Sequence, residues 1–235
     1  MLPTAVLLLT LGCRATAPIA EPAPTEPAHH GEPGEHGHHG PDHFTDPARY
    51  VPAWNAPDRD AWQKPEEIVA ALGLRPGDTV VDLGAGTGYL LPPLSAAVGP
   101  TGTVVALDIE PSMLAFLDEA RAKEGWTNVR THAAALDDPR LPAGGAHAIV
   151  TLNVWHHVEA REAYAAKVAA ALAPGGAFVI VDFLKAETEG FGPPLAMRLT
   201  AEQIVAELTA GGLTAEIVPE TMPRHYIVRG IKPRP

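Results

Sequence analysis

The chain has 235 residues with 28 acidic and 17 basic side chains, which gives a formal net charge of −11. This balance excludes proteins that hold nucleic acid or an anionic membrane surface through clustered Lys and Arg, so we expect no nucleic-acid partner. Cys13 is the sole cysteine, which excludes intrachain disulfides and cysteine-based zinc sites. The length suits one good-sized domain with an appendage.

The chain opens with a short apolar run over residues 2–11 that stops at Gly12-Cys13. About ten apolar residues are too few to span a bilayer, but they fit the core of a secretory signal. The Gly-Cys ending resembles a bacterial lipoprotein signal, in which the cysteine is lipidated. We therefore expect a signal over residues 1–13, a lipid anchor at Cys13 and a membrane-anchored protein of the cell envelope. The alternative is a misassigned start and a cytoplasmic protein.

Residues 14–57 are rich in proline and glycine, which predicts a disordered tether ahead of a domain over residues 58–235. Imidazole is a good ligand for Ni and Zn, and the tether is a candidate accessory site for either metal. The alternative is a solvated linker without metal, and we expect the domain itself to need none. The tether holds six of the eleven histidines: His29, His30, His36, His38, His39 and His43.

The next segments alternate between helical and strand patterns. Pro65 and Gly73 bound a predicted helix over residues 64–72. Pro92-Pro93 predicts that the helix after the first strand starts late, with a proline in its first turn. Thr200 and Gln203 form a capping box. Short apolar runs predict strands over residues 79–83, 103–107, 128–133, 148–152 and 177–181, with helices over 112–123, 160–172 and 201–210. This alternation predicts an α/β domain with a mainly parallel sheet.

A glycine loop follows the first predicted strand, with the sequence Gly84-Ala85-Gly86-Thr87-Gly88. Glycines at this spacing allow a ligand to approach the backbone closely. Asp108 ends the next strand, where an acid accepts both ribose hydroxyls of a nucleotide cofactor. Asp82 precedes the loop inside an apolar strand. Its carboxylate would repel a dinucleotide pyrophosphate and favours a cofactor with an ammonium and a sulfonium group. The alternatives are a buried acid satisfied by loop amides at Asp82 and a helix cap at Asp108.

This loop resembles motif I of the class I S-adenosylmethionine-dependent methyltransferases, and Asp108 resembles their ribose acid. Segments over residues 136–142, 149–157 and 172–182 are similar to later motifs of that family in the same order. The branch with the nearest resemblance comprises ubiquinone and menaquinone biosynthesis methyltransferases. The resemblance covers residues 58–232. It implies a Rossmann-like, doubly wound, mainly parallel seven-stranded sheet whose last strand is antiparallel, closed by strands over residues 214–219 and 225–231.

The resemblance also implies S-adenosylmethionine as cofactor and assigns roles to residues of this chain. The cofactor contacts it implies are Asp82, Gly84, Ala85, Gly86, Thr87 and Gly88 at the methionine end, Asp108 at the ribose, Ile109, Leu136 and Asp137 at the adenine, and Asn153 after the fourth strand. Asp138 competes with Asp137, because either acid suits a turn. Trp62 and Gln63 lie in a lead-in that resembles a bacterial subgroup of small-molecule methyltransferases, and they are candidate substrate contacts. For Trp62 and Trp54 the alternative is packing.

These observations predict methyl transfer to a small-molecule acceptor. His156 and His157 follow the fourth strand, and ligands bind at the carboxyl ends of parallel strands. A phenol, enol or thiol acceptor must lose a proton, and a histidine suits that task. Adjacent side chains point apart, so we expect one to serve as base and favour His156; the alternative is packing. The competing functions are a nicotinamide-dependent oxidoreductase, which the glycine spacing disfavours, and a non-catalytic metal-binding envelope lipoprotein.

Overall fold

The computed structural model describes residues 44–188 and 190–235. The predicted signal, the lipid anchor at Cys13 and the candidate metal ligands from His29 to His43 all lie outside these residues. Within the described ranges, no helix has the length and apolar character needed to cross a membrane. The same ranges hold no cluster of three or more His, Cys, Asp or Glu side chains arranged for a metal ion.

Seven strands form a single mixed sheet. They are β1 (Thr79–Leu83), β2 (Thr103–Asp108), β3 (Val129–Ala133), β4 (Ala146–Leu152), β5 (Leu172–Phe183), β6 (Thr214–Val218) and β7 (His225–Ile231). Their order across the sheet is β3-β2-β1-β4-β5-β7-β6. Strands β1 to β5 are parallel, and β7 runs antiparallel to both β5 and β6. The predicted Rossmann-like sheet, including its antiparallel last strand, is confirmed.

Seven α-helices accompany the sheet in the described part of the chain. They are α1 (Pro47–Trp54), α2 (Arg59–Gln63), α3 (Pro65–Leu72), α4 (Leu91–Val98), α5 (Pro111–Glu124), α6 (Arg161–Ala171) and α7 (Ala201–Ala210). Helix α4 carries its prolines in the first turn, as predicted. Thr200 and Gln203 complete the capping box of α7 through reciprocal hydrogen bonds. The helices predicted at α3, α5, α6 and α7 are therefore confirmed.

The prediction of disorder up to residue 57 is wrong for α1. The Asp46 side chain accepts the Ala48 N–H at 3.2 Å and caps the helix, and a proline occupies the first turn. The rings of Tyr50 and Trp54 stack with centroids 4.6 Å apart, and Phe44 packs 5.6 Å from Trp54. These aromatic side chains supply the apolar surface that the preceding proline-rich sequence lacks. The described fold thus includes residues 44–57 in addition to the predicted domain.

Helices cover both faces of the sheet, and the alternation of side chains along the strands decides which face each residue joins. Phe178 and Ile180 of β5 pack with side chains of α6 and α7, whereas Val179 and Val181 pack with those of α3 and α4. In β1, Asp82 pairs in register with Ala106, which belongs to the second of these clusters. Asp82 therefore projects to the α3 and α4 face, at the carboxyl end of the parallel strands.

Candidate active site

The glycine loop between β1 and α4 has a backbone conformation and close contacts that favour glycine over residues with a side chain. Gly84 has φ +77° and Gly86 has φ +51°, both in the left-handed region. A Cβ on Gly84 would lie 2.6 Å from Cγ2 of Val154. The N–H groups of Gly84 and Ala85 donate to the Leu107 carbonyl, which ties the loop to the end of β2. The loop is therefore held rigidly where β1 and β2 end.

Asp108 lies against this loop. One carboxylate oxygen accepts the Gly86 N–H at 2.9 Å and the other accepts the Glu110 N–H at 3.0 Å. Burial raises its pKa, and these backbone hydrogen bonds oppose the shift. The carboxylate does not cap α5, whose N-cap is Glu110. Because a carboxylate offers about four acceptor positions, Asp108 keeps capacity to accept from a ligand hydroxyl in addition to these backbone groups.

Two large apolar side chains are exposed beyond the ends of β2 and β3. Ile109 is 39% exposed and Leu136 is 60% exposed. Burial of such surface is favourable, so both suit the faces of a flat apolar base. Of the two acids that follow, Asp138 closes a turn by accepting the Arg140 N–H at 2.7 Å. Asp137 is exposed, and its carboxylate lies 3.6 Å from Lys167 Nζ. The Asp137 carboxylate takes no part in that turn.

The Asp82 side chain is buried near Asp108, and its carboxylate accepts no hydrogen bond from protein groups among residues 44–188 and 190–235. The loop amides do not satisfy it, since those of Gly84 and Ala85 are bonded to Leu107. Burial raises the pKa of Asp82 to about 7, the negative charge of Asp108 adds to this shift, and the Arg59 cation opposes it. An unpartnered buried carboxylate is costly. Asp82 therefore presents an acceptor for a cationic or hydrogen-bonding ligand group.

Asp82→Asn is expected to stabilise the ligand-free protein at pH 8, with a gain that shrinks towards pH 5. The folded pKa near 7 exceeds the ordinary value of 3.8, so the native state binds the proton more tightly. Wild-type stability therefore falls as the pH rises from about 4 to 7, and it stays low above that range. Urea unfolding of both proteins at pH 5, 6, 7 and 8 measures the difference. A difference that does not change with pH would show that the Asp82 charge is not responsible.

His156 forms a buried pair with Asp182, an acid that sequence analysis did not single out. Residues Trp155–His157 form a 3-10 turn after β4. The His156 Nδ1 lies 2.8 Å from one Asp182 carboxylate oxygen, and its backbone N–H donates to the other at 3.1 Å. Both side chains are at most 3% exposed. A carboxylate only accepts, so Nδ1 carries the hydrogen and Nε2 is left as the basic nitrogen.

The neighbouring His157 has different surroundings. Its ring packs edge-on against Phe44, with centroids 5.9 Å apart, and lies 4.2 Å from the ring of His156. The two histidine rings thus stay close together but have different partners. His156 is paired with a carboxylate at the ends of β4 and β5, whereas His157 contacts the aromatic group ahead of α1.

Asn153 and Trp62 meet at a third histidine, His225, which sequence analysis also missed. The Asn153 Oδ1 lies 2.9 Å from His225 Nε2, and Trp62 stacks on the same ring at 5.9 Å with a 17° interplanar angle. Burial lowers the pKa of His225 to about 3, so this ring is neutral. Gln63 is fully buried and bonded to Arg59 and Met222. Its full burial suits a packing role and does not support the predicted substrate contact.

Helix α1 covers the glycine loop. A Cβ on Gly86 would lie 3.1 Å from Cζ3 of Trp54. Just beyond the helix, the Asn55 amide donates to the Thr87 carbonyl at 3.1 Å, and the Thr87 hydroxyl donates to Asn55 Oδ1 at 2.5 Å. The side chain of the loop residue Thr87 is therefore hydrogen-bonded to Asn55 at the end of α1. The Trp54 ring packs beside the loop.

Comparison with known proteins agrees with this geometry. Residues 80–176 match the family described as a methyltransferase domain. Nocamycin O-methyltransferase of Saccharothrix syringae is 32% identical over 164 residues, which cover 68% of this chain and 54% of that protein. The ubiquinone/menaquinone biosynthesis C-methyltransferase UbiE of Ectopseudomonas mendocina is 35% identical over 120 residues, or 48% and 44% of the two chains. The chain thus spans about half the length of these curated relatives.

Solved structures show the same fold over a larger share of the chain. A SAM-dependent methyltransferase from Aquifex aeolicus has a TM-score of 0.73 and 26% identity, and the match covers 79% of this chain and 98% of that one. Phosphoethanolamine N-methyltransferase 2 of Haemonchus contortus, solved with S-adenosylhomocysteine, shares the fold with a TM-score of 0.62 and 15% identity, over 81% of this chain and 60% of that one. Residues 80–176 therefore match a methyltransferase domain, the chain shares the fold of these S-adenosylmethionine-dependent methyltransferases, and S-adenosylmethionine is the cofactor that the comparisons support.

Proposed function

We propose that this protein transfers the methyl group of S-adenosylmethionine to a small-molecule acceptor. The observation that carries the proposal is the unpartnered buried carboxylate of Asp82, beside the glycine loop and Asp108 at one edge of the sheet. The residues present fit the cofactor's parts. Asp82 suits its ammonium group, Asp108 its ribose hydroxyls, and the exposed side chains of Ile109 and Leu136 suit its adenine.

A small acceptor is supported by charge and by the relatives. With a net charge of −11 the chain is poorly suited to a polyanionic substrate. The two curated relatives are named for nocamycin and for ubiquinone or menaquinone biosynthesis, which are small molecules. The aromatic rings of Trp62 and Phe191 lie 6.0 Å apart, and Trp62 also stacks on His225 at the start of β7. We infer that these rings contact an acceptor with a substantial apolar part.

His156 is proposed as the general base. The bound cofactor supplies an electrophilic methyl group on its sulfonium. His156 Nε2 removes the proton from a phenol, enol or thiol acceptor, which makes that atom a better nucleophile. Asp182 holds the opposite nitrogen, orients the ring and stabilises the imidazolium that forms. The burial of both side chains excludes water from the pair and strengthens their interaction.

Calorimetric titration of the full chain with S-adenosylhomocysteine and with NAD tests the cofactor part of the proposal. We expect one S-adenosylhomocysteine to bind per chain and NAD to give no heat of binding, because Asp82 disfavours a pyrophosphate. The control is Glu119→Gln, which removes one charge from an exposed position on α5 and should bind both ligands as wild type does. Binding of NAD in place of S-adenosylhomocysteine would favour the oxidoreductase alternative and end the proposal.

A further inference from the structure

Arg59 is a buried cation beside the glycine loop that neither the sequence motifs nor the proposed function uses. It begins α2 and is 7% exposed. Its guanidinium carbon lies 3.9 Å from the ring centroid of Tyr89, the residue that follows the loop. One terminal nitrogen donates to the Trp54 carbonyl and the other donates to Gln63 Oε1 at 3.2 Å. These contacts anchor the guanidinium at the loop and tie it to α1.

The hydrogen bonding of this guanidinium is incomplete. Its Nε is buried and has no hydrogen-bond partner within the part of the chain that the structure describes. A buried donor left without an acceptor costs free energy. Arg59 has two acidic neighbours. Asp60 accepts the Tyr89 hydroxyl at 2.7 Å, and Asp82 interacts with Arg59 through its charge, without a hydrogen bond. Burial lowers the pKa of Arg59 to about 10, so it stays charged at neutral pH.

Arg59 carries a positive charge and Asp82 a carboxylate, and the two groups lie on the same side of the site. Asp82 projects to the α3 face of the sheet, and the interaction between the two charges places Arg59 near it. The methionine part of the cofactor is a zwitterion with one ammonium and one carboxylate. Asp82 alone matches only the ammonium. A buried guanidinium with an unused donor matches the carboxylate, because charge-assisted hydrogen bonds of this kind are strong.

We propose that Arg59 binds the α-carboxylate of the cofactor's methionine part while Asp82 faces its ammonium group. The proposal rests on the proposed function and extends it to a residue outside the loop motif. It also links the cofactor to α1, because the same guanidinium binds the Trp54 carbonyl. The competing role is purely structural, in which Arg59 only compensates the buried charge of Asp82. The two roles differ in whether the effect of Arg59 depends on the ligand's carboxylate.

Three ligands that differ in the methionine part separate these roles by calorimetry. They are S-adenosylhomocysteine, its decarboxylated analogue 5′-deoxy-5′-(3-aminopropylthio)adenosine, and 5′-methylthioadenosine. Arg59→Met is expected to weaken S-adenosylhomocysteine about 10- to 100-fold and the other two ligands less than about threefold. Arg59→Lys keeps the charge but loses the planar fork, and it should fall between wild type and Arg59→Met. The matched control, Asp108→Asn, should weaken all three ligands by similar factors, because all three carry the ribose.

Equal weakening of S-adenosylhomocysteine and its decarboxylated analogue by Arg59→Met would overturn the proposal and establish the structural role. Should Arg59→Met fail to give a native melting transition, the wild type and Arg59→Lys decide. Wild type must bind S-adenosylhomocysteine at least about tenfold more tightly than the decarboxylated analogue, and Arg59→Lys must narrow that gap. Equal wild-type affinities would overturn it. A wild type that binds none of the three ligands would instead refute the proposed cofactor.

Discussion

His156→Asn is expected to lower turnover by about 10²–10⁴-fold, the usual contribution of a general base, with little change in the affinity for S-adenosylhomocysteine. The reason is that Nε2 of this ring is left basic by the contact of Nδ1 with Asp182 at 2.8 Å. The loss should shrink as the pH approaches the acceptor's own pKa, because the acceptor then ionises without help. Steady-state rates over pH 5–9, with a phenol, enol or thiol acceptor of established turnover, measure both effects.

Two further variants make this experiment specific. Asp182→Asn should also reduce turnover, because the amide no longer fixes the ring in the tautomer that leaves Nε2 basic. His157→Asn is the matched control. Its ring packs against Phe44, and we expect its turnover to stay close to that of wild type. Near-wild-type rates in both His156→Asn and Asp182→Asn would mean that positioning of the acceptor, without a base, accounts for catalysis.

Asp108→Ala is expected to lower the affinity for S-adenosylhomocysteine at least tenfold. The carboxylate would accept two ribose hydroxyls, and each hydrogen bond to a charged group contributes about 1.5–3 kcal/mol before compensation. The substitution also releases the Gly86 N–H, which Asp108 accepts at 2.9 Å, so the loop loses a restraint. Calorimetric dissociation constants for wild type, Asp108→Ala and Asp108→Asn measure the loss.

Asn at this position separates the two contributions, because its oxygen still accepts one hydrogen bond while the charge is gone. We expect Asp108→Asn to bind more weakly than wild type and more tightly than Asp108→Ala. Glu119→Gln on α5 controls for the change in net charge, and its affinity should match that of wild type. A dissociation constant that Asp108→Ala leaves unchanged would refute the assignment of the ribose to this acid.

Local sequence was sufficient to predict the sheet and the position of the glycine loop between two acids. The central strands β1, β2, β4 and β5 contain short apolar runs next to glycines, and strands buried on both faces need little more than such a run. Asp82 and Asp108 lie within or at the end of their strands, and the spacing of the loop glycines is a property of consecutive residues. Their closeness follows from parallel pairing of β1 and β2, which the alternation of strands and helices already implied.

The sequence by itself thus determined the fold class, the glycine loop and the acids around it, because these depend on residues near one another in the chain. Only the tertiary structure decided the partners of the remaining groups. His156 meets Asp182 across 26 residues, and Asn153 meets His225 across 72, because β4, β5 and β7 are neighbours in the sheet. Helix α1 was missed for a related reason. An eight-residue helix gains its stability from packing, here from aromatic rings and from the loop beneath Trp54, and not from its own propensity.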